Sequence, residues 1–202
     1  MKKQRKALAL VLCAIALVAV SVCSTLAYLT STTETVTNTF TVGNVKITLD
    51  EAKVTSAGVK DGDSRVTGNE YHLIPGHTYV KDPTVHVDAK SENCYVFVKV
   101  TNNISDIEIV ADDETEGTET IAEQMTQKGW TLISDGVYYY KDVVSKNQDV
   151  VVFDNFTIAG TVANATLEEN TSDTVEIIAY AIQAEGFGTA TDAWNAYKTQ
   201  NP

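Results

Sequence analysis

The sequence predicts an all-β protein: a jelly-roll-like antiparallel β-sandwich with one or two short helices, preceded by a cleaved signal peptide. Three observations predict it. Val, Thr, Ile, Tyr and Phe recur in short alternating runs, the pattern of strands half buried in a sheet. Only 3 prolines interrupt the 202 residues, and no fixed-period repeat or Pro- or Ser-rich linker divides them, so one core of ordinary domain size accounts for the chain. Finally, the first residues combine a charged start with an apolar run unlike anything that follows.

That start is Lys2, Lys3, Arg5 and Lys6, followed by an apolar run from Ala7 to Val20 and then Ser21, Val22, Cys23, Ser24, Thr25, Leu26 and Ala27. A basic head, an apolar middle and a small-residue exit make a secretory signal. Thr25 and Ala27 fill the two positions that a signal peptidase reads, so cleavage falls after Ala27 and the mature chain begins at Tyr28. The uninterrupted run is short for a bilayer span, which argues against an uncut anchor. The division is therefore 1–27 as signal peptide and 28–202 as a single sandwich, with membrane contact confined to the signal before the cut. The whole chain has 15 Lys+Arg against 27 Asp+Glu, a net −12, and without the four leading bases the balance is 11 against 27, or −16. A body so acidic repels phosphate backbones, which excludes nucleic-acid binding through a basic footprint. Cys13 and Cys23 leave with the signal. Cys94 is then alone, no intramolecular disulfide can form, and packing must hold the fold.

The elements follow in order. Thr35 to Thr41 alternates loosely and reads as a strand ended by Val42-Gly43-Asn44. Val45, Ile47 and Leu49 share one face against Lys46, Thr48 and Asp50, the form of a half-buried strand. Gly58 to Asn69 reads as a loop, because Gly, Asp and Ser crowd it. Asp61-Gly62-Asp63-Ser64 starts like a calcium loop, but Arg65 stands where a third oxygen ligand belongs. Leu73-Ile74-Pro75-Gly76 reads as a turn, and Val80 to Val87 as a strand whose Pro83 marks an edge or a start. Tyr95 to Val100 is almost continuously apolar and reads as a central strand, with Cys94 beside it as a buried small hydrophobe. Ile107 to Val110 is a further strand candidate. The acids Asp112, Asp113, Glu114, Glu116 and Glu119 form a solvated loop. Ile121 to Lys128 makes a short helix stopped by Gly129. Trp130 to Leu132 and Val137 to Tyr140 make a hairpin about Asp135-Gly136. Val150 to Phe156 and Val175 to Ala184 are strands, and Ala190, Ala193, Trp194 and Tyr197 recur at helical spacing behind a cap at Thr189 or Thr191. About eight to ten strands with two small helices fit a sandwich of jelly-roll or related Greek-key type.

Catalytic chemistry finds little support. A hydrolytic zinc site needs about three protein ligands and an open position for water. The histidines are His72, His77 and His86. His72 and His77 flank the Leu73–Gly76 turn, and Glu70 or Asp82 could add a carboxylate, but there is no His-Glu-x-x-His and no ligand spacing on a rigid element. We therefore read turn-flanking and surface histidines, with His72, His77 and Glu70 as a weak metal set, no catalytic residue and no cofactor. Gly186-Phe187-Gly188 lacks the remaining glycine of a phosphate loop. Tyr138, Tyr139 and Tyr140 could stack sugars, although at least one of the three belongs to the core.

Three stretches carry a resemblance. Ser24-Thr25-Leu26-Ala27-Tyr28-Leu29-Thr30 leads to Asn38-Thr39-Phe40-Thr41-Val42-Gly43-Asn44-Val45-Lys46-Ile47; Leu73-Ile74-Pro75-Gly76 runs into Lys81-Asp82-Pro83-Thr84-Val85; and Glu92-Asn93-Cys94-Tyr95-Val96-Phe97-Val98-Lys99-Val100 follows. Together they resemble the SipW-dependent secreted proteins of Gram-positive bacteria, the group of the TasA biofilm matrix protein and the camelysin-like (CalY) proteins. The likeness covers the chain from the signal to about Val100, and Ala179 to Ala184 with Trp194 is similar at the far end. It implies a secreted jelly-roll subunit of extracellular biofilm matrix fibres, in the matrix or at the cell surface. The implied partners are copies of the chain itself and a dedicated signal peptidase, with an accessory assembly protein left open. It also implies that residues 28–40, freed by the cut, act as a donor strand that completes the next subunit's sheet, offering Leu29, Val36 and Phe40 to pockets there. The residues themselves leave open whether Tyr28 to Phe40 pairs within its own subunit. Two other readings compete: a camelysin-like zinc metallopeptidase at the surface, which the same resemblance brings, and a monomeric surface adhesion or carbohydrate-binding module.

Overall fold

The computed structural model describes residues 44–109, 119–163, 166–167 and 174–201. The expected signal peptide with its cleavage residues Thr25, Ala27 and Tyr28, the expected strand from Thr35 to Thr41, and the donor residues Leu29, Val36 and Phe40 lie outside the described residues, as does most of the acidic run after Val110. The described strands are β1 (Ile47–Val54), β2 (Lys60–Val66), β3 (Thr78–Val80), β4 (Thr84–Val87), β5 (Cys94–Asn102), β6 (Trp130–Ser134), β7 (Val137–Tyr140), β8 (Asp149–Val151), β9 (Asn155–Thr157) and β10 (Val175–Gln183). The two described helices of more than a single turn are α1 (Ile121–Gln127) and α2 (Ala190–Gln200). Among the described residues no helix is long and apolar enough to cross a membrane.

The strands form one sheet in the order β2-β1-β4-β8, a second in the order β10-β5-β7-β6, and a two-stranded ribbon of β3 and β9, all antiparallel. The all-β expectation holds. Val85 and Val87 from the first sheet meet Val96 and Val98 from the second in one buried cluster that also takes in Tyr79, Trp130, Phe153 and Phe156. Phe97 points the other way and is covered by Ala193 and Trp194 of α2, whose indole stacks on it at 4.9 Å. β5 is therefore buried on both faces, and that is why its sequence is apolar on both phases. Its pairing with β10 runs unbroken from Val175↔Asn102 to Gln183↔Cys94.

Local chemistry explains the helices and the hairpin. Thr120 caps α1 in a reciprocal box: its hydroxyl accepts from the Glu123 N–H at 3.2 Å, and the Glu123 carboxylate accepts from the Thr120 N–H at 2.8 Å. Thr189 caps α2 through the Asp192 N–H at 3.1 Å. The β6–β7 turn holds Asp135 and Gly136 at φ of 23° and 75°, the positive values that match a tight hairpin to the twist of its strands.

Four expectations are corrected. The loop expected from Gly58 to Asn69 contains β2, which pairs with β1 at Val66, Arg65 and Lys60 with a register shift between. All of its residues but Val66 are exposed, so an edge strand held by backbone bonds carries no apolar alternation to read. The single strand expected from Val80 to Val87 is two strands: β3 joins the ribbon, the chain breaks at Lys81–Pro83, and β4 begins after Pro83. The expected strand from Val150 to Phe156 divides in the mirror sense, with β8 on β4 and β9 on β3. Both runs read as continuous because Val150, Val152, Phe153 and Phe156 all enter the same core while the backbone changes sheets. Of the candidate from Ile107 to Val110, the described residues Ile107 to Ile109 hold an isolated bridge, Glu108↔Ile158, and not a strand, since Ile104 and Ile107 are buried from turns; Val110 lies outside the described residues.

Candidate functional site

β10 is the last strand of its sheet, and among the described residues its one strand partner is β5. Opposite its other edge runs the segment from Thr67 to Pro75, which follows β2. Between them, and reaching β1, lies a groove of about 1180 Å³. Its apolar lining includes Leu49, Leu73, Ile104, Phe156, Val175 and Ile177, and its charged lining is Asp50, Glu51, Glu70, Lys81 and Glu176, with His72 beside them. Ile74 and Ile178, on the two sides, are 48% and 51% exposed. Among the described residues, that edge of β10 carries no strand partner and lies beside exposed isoleucines.

The wall of the groove is held from inside. The fully buried Tyr79 donates its hydroxyl hydrogen to the His72 carbonyl at 2.7 Å and accepts from the Ile74 N–H at 2.6 Å. Its ring stacks on Phe156 at 5.0 Å, and Tyr71 packs edge-on against both. The Tyr71 hydroxyl donates to the Val80 carbonyl at 3.0 Å; burial, and then the Glu51 charge, push its pKa far up, so it stays a donor. Asn69 extends the pairing of β1: its carbonyl oxygen accepts from the Val54 N–H at 3.0 Å, and its amide nitrogen donates to the Ala52 carbonyl at 2.9 Å and to Glu51 at 2.8 Å. Glu51 in turn holds the buried Lys81 at 2.6 Å.

The first sheet also carries a charge network that shares Asp50 with the groove. His86 of β4 bonds Asp50 of β1 through Nε2 at 2.9 Å and Asp149 of β8 through Nδ1 at 2.6 Å. Arg65 of β2 pairs with Asp50 and reaches Asp82 at 3.3 Å. Burial opposes the imidazolium, but the hydrogen bonds it donates to Asp50 and then Asp149 outweigh it and raise the His86 pKa. For Asp50 burial likewise opposes the charge, and Arg65 and His86 prevail and lower its pKa. A histidine pKa raised by folding adds stability that is fully present below about 6.5 and is lost as pH rises through the higher folded value. His86→Gln should therefore flatten the thermal stability profile across that window, by less than about 1 kcal/mol because the site is partly solvated. An unchanged slope in pH-dependent melting curves would remove the role of His86.

The residues singled out from sequence fall in different places. Glu70 and His72 line the groove, whereas His77 is turned to the Ala57 carbonyl at 2.9 Å and packs on Tyr79 at 4.6 Å. Among the described residues no group of three or more His, Cys, Asp or Glu side chains is placed to hold a metal ion. Cys94 is fully buried, and burial pushes its thiol up to about 11, so it packs as a small hydrophobe and is not a nucleophile at neutral pH. Tyr138 and Tyr140, partly buried, pack on the main core, and Tyr139, also partly buried, packs on the core under α2. Asp61, in the sequence that started like a calcium loop, pairs with Lys53 at 2.6 Å within the β1–β2 hairpin. Sequence reasoning missed Tyr79, Asn69 and the Glu51–Lys81 pair. One signal was present: Glu51 continues the phase of Val45, Ile47 and Leu49, and a carboxylate on a buried phase requires a partner.

Comparison of the chain with protein-family models, with curated proteins and with solved structures finds no match.

Proposed function

We propose that this protein is a secreted structural subunit, of jelly-roll type, that assembles head to tail into extracellular matrix fibres without catalytic activity. Residues 28–40 of one copy fill the groove beside β10 of the next. The single observation that carries this reading is the edge of β10 that has no strand partner among the described residues, flanked by an apolar groove and exposed isoleucines. A strand laid there gains backbone hydrogen bonds along β10 and buries alternate side chains in the groove. The mature N-terminal segment suits that role: it is longer than the nine residues of β10, and it offers Leu29, Val36 and Phe40 on a polar Thr-rich background. Filling a neighbour's slot with one's own end is a heterologous contact that does not close, so it propagates as a filament. Attachment to the signal peptide blocks donation until the cut after Ala27, and the −16 charge of the mature chain keeps free subunits apart.

The test compares the mature chain, residues 28–202, with the same chain lacking residues 28–37. Electron microscopy of the mature chain should reveal fibres, and the shortened chain should remain a folded monomer by sedimentation and circular dichroism. Fibres from the shortened chain, or a stable monomer from both, would overturn the reading.

A further inference from the structure

The Glu51–Lys81 pair in the groove wall has a third member, and the three together have a chemistry of their own. Lys81 and Glu51 are 8% and 4% exposed. Lys81 Nζ lies 2.6 Å from one carboxylate oxygen of Glu51, and Asn69 Nδ2 lies 2.8 Å from the other. A primary amine and a primary carboxamide are thus held on opposite oxygens of a single buried carboxylate. We propose that Lys81 and Asn69 are the site of an intramolecular isopeptide bond, with Glu51 as its catalytic residue. The inference is independent of the fibre reading.

Each part of the reaction has a group in place. Glu51 accepts a proton from the Lys81 ammonium across their hydrogen bond, which frees the Nζ lone pair. Nζ adds to Asn69 Cγ, and the carbonyl electrons move to Oδ1. That oxygen already accepts from the Val54 N–H at 3.0 Å, a fixed backbone donor for the developing oxyanion. A second proton passes from Nζ through Glu51 to Nδ2, the Cγ–Nδ2 bond breaks, and ammonia leaves. The products are a secondary amide joining the two side chains and one ammonia, which leaves as ammonium with the proton that returns Glu51 to its carboxylate. No oxidant, nucleotide or metal is consumed.

The surroundings favour this over exchange with water. The Tyr71 ring centroid is 5.9 Å from Nζ, and Tyr71 itself packs on Tyr79 and Phe156. An amine and a carboxamide held on one buried carboxylate meet at high effective concentration. The bond would tie Asn69, within the groove wall, to Lys81, beyond its end, and so brace the segment that lines the groove with β10. Beyond residue 27 the sequence holds Cys94 as its one cysteine, and there the bond would supply the covalent cross-link that a disulfide cannot.

The intact mass of the purified full-length or mature protein decides the matter. The wild-type chain should be lighter than its sequence by one ammonia. A tryptic digest should contain a branched peptide joining Lys81 to Asn69, with no cleavage after Lys81. Glu51→Ala, Lys81→Arg and Asn69→Ala should each restore the full sequence mass. A wild-type chain at full sequence mass overturns the proposal, and this outcome does not depend on whether any variant folds. An ammonia loss that persists in Lys81→Arg also overturns it, because that loss would be cyclisation of an asparagine and not a bond to lysine.

Discussion

Trp130→Ala should destabilise the protein by about 3–5 kcal/mol, among the largest losses that a single truncation can cause. Trp130 opens β6, the edge strand of the second sheet, and is 2% exposed. Its ring packs on Tyr140 at 5.4 Å, and its Nε1 donates to the Val151 carbonyl at 3.0 Å. Val151 belongs to β8, the edge strand of the first sheet. One side chain thus joins the two sheets along the edge remote from β10. Alanine leaves an indole-sized void and a carbonyl without its donor. Trp130→Phe separates the two effects: it keeps most of the volume and loses the hydrogen bond, so it should cost about 1–2 kcal/mol. Urea titration followed by circular dichroism measures both, and a loss below about 1 kcal/mol for the alanine variant would show that the closure does not depend on this residue.

What could be read from the sequence follows from where burial writes a period. β5, β10, the β6–β7 hairpin and both helices were legible because each has one fixed set of neighbours. Val96 and Val98 face one core and Phe97 another along the whole of β5. β2 was illegible for the opposite reason, since Lys60-Asp61-Gly62-Asp63-Ser64-Arg65 buries nothing and is held by its ladder to β1. The two divided runs are a third case. From Val80 to Val87 and from Val150 to Phe156 the side chains stay in one core while the backbone passes between a sheet and the ribbon. Hydrophobic pattern reports the environment of side chains and not the identity of the pairing partner.

The site was legible in part for the same reason. Glu70 and His72 were noticed for their chemistry, and they do line the groove, but His77 is committed to the Ala57 carbonyl and the three do not converge. The groove itself lies between an edge of β10 that has no strand partner among the described residues and a wall with no periodic structure. Its shape depends on contacts between positions far apart in the chain, such as Asn69 with Val54 and Tyr79 with Phe156. No local pattern encodes such contacts. Glu51 and Lys81 are the exception, because two opposite charges on apolar phases are improbable unless they meet.

Gly58→Ala tests how tightly that wall is tied to the fold. Gly58 has a φ of +72°, and a Cβ there would lie 2.5 Å from the Tyr79 ring and 2.8 Å from the Tyr79 Cα. The second contact is with backbone and cannot be relieved by turning a side chain. Gly62, in β2, has nearly the same φ of +76° but nothing within 4 Å of its would-be Cβ. Both substitutions incur the strain of a left-handed backbone, about 1–3 kcal/mol. Only Gly58→Ala adds overpacking, about another 1–3 kcal/mol. The displaced residue is the one that holds the His72 carbonyl and the Ile74 N–H, so the disturbance passes directly into the groove wall. Gly58→Ala should therefore unfold at lower urea than Gly62→Ala and show faster hydrogen exchange at Ile74 while the amides of β5 stay protected. Equal stabilities for the two variants, or an unchanged Ile74 amide, would mean that Tyr79 can move without carrying the wall with it.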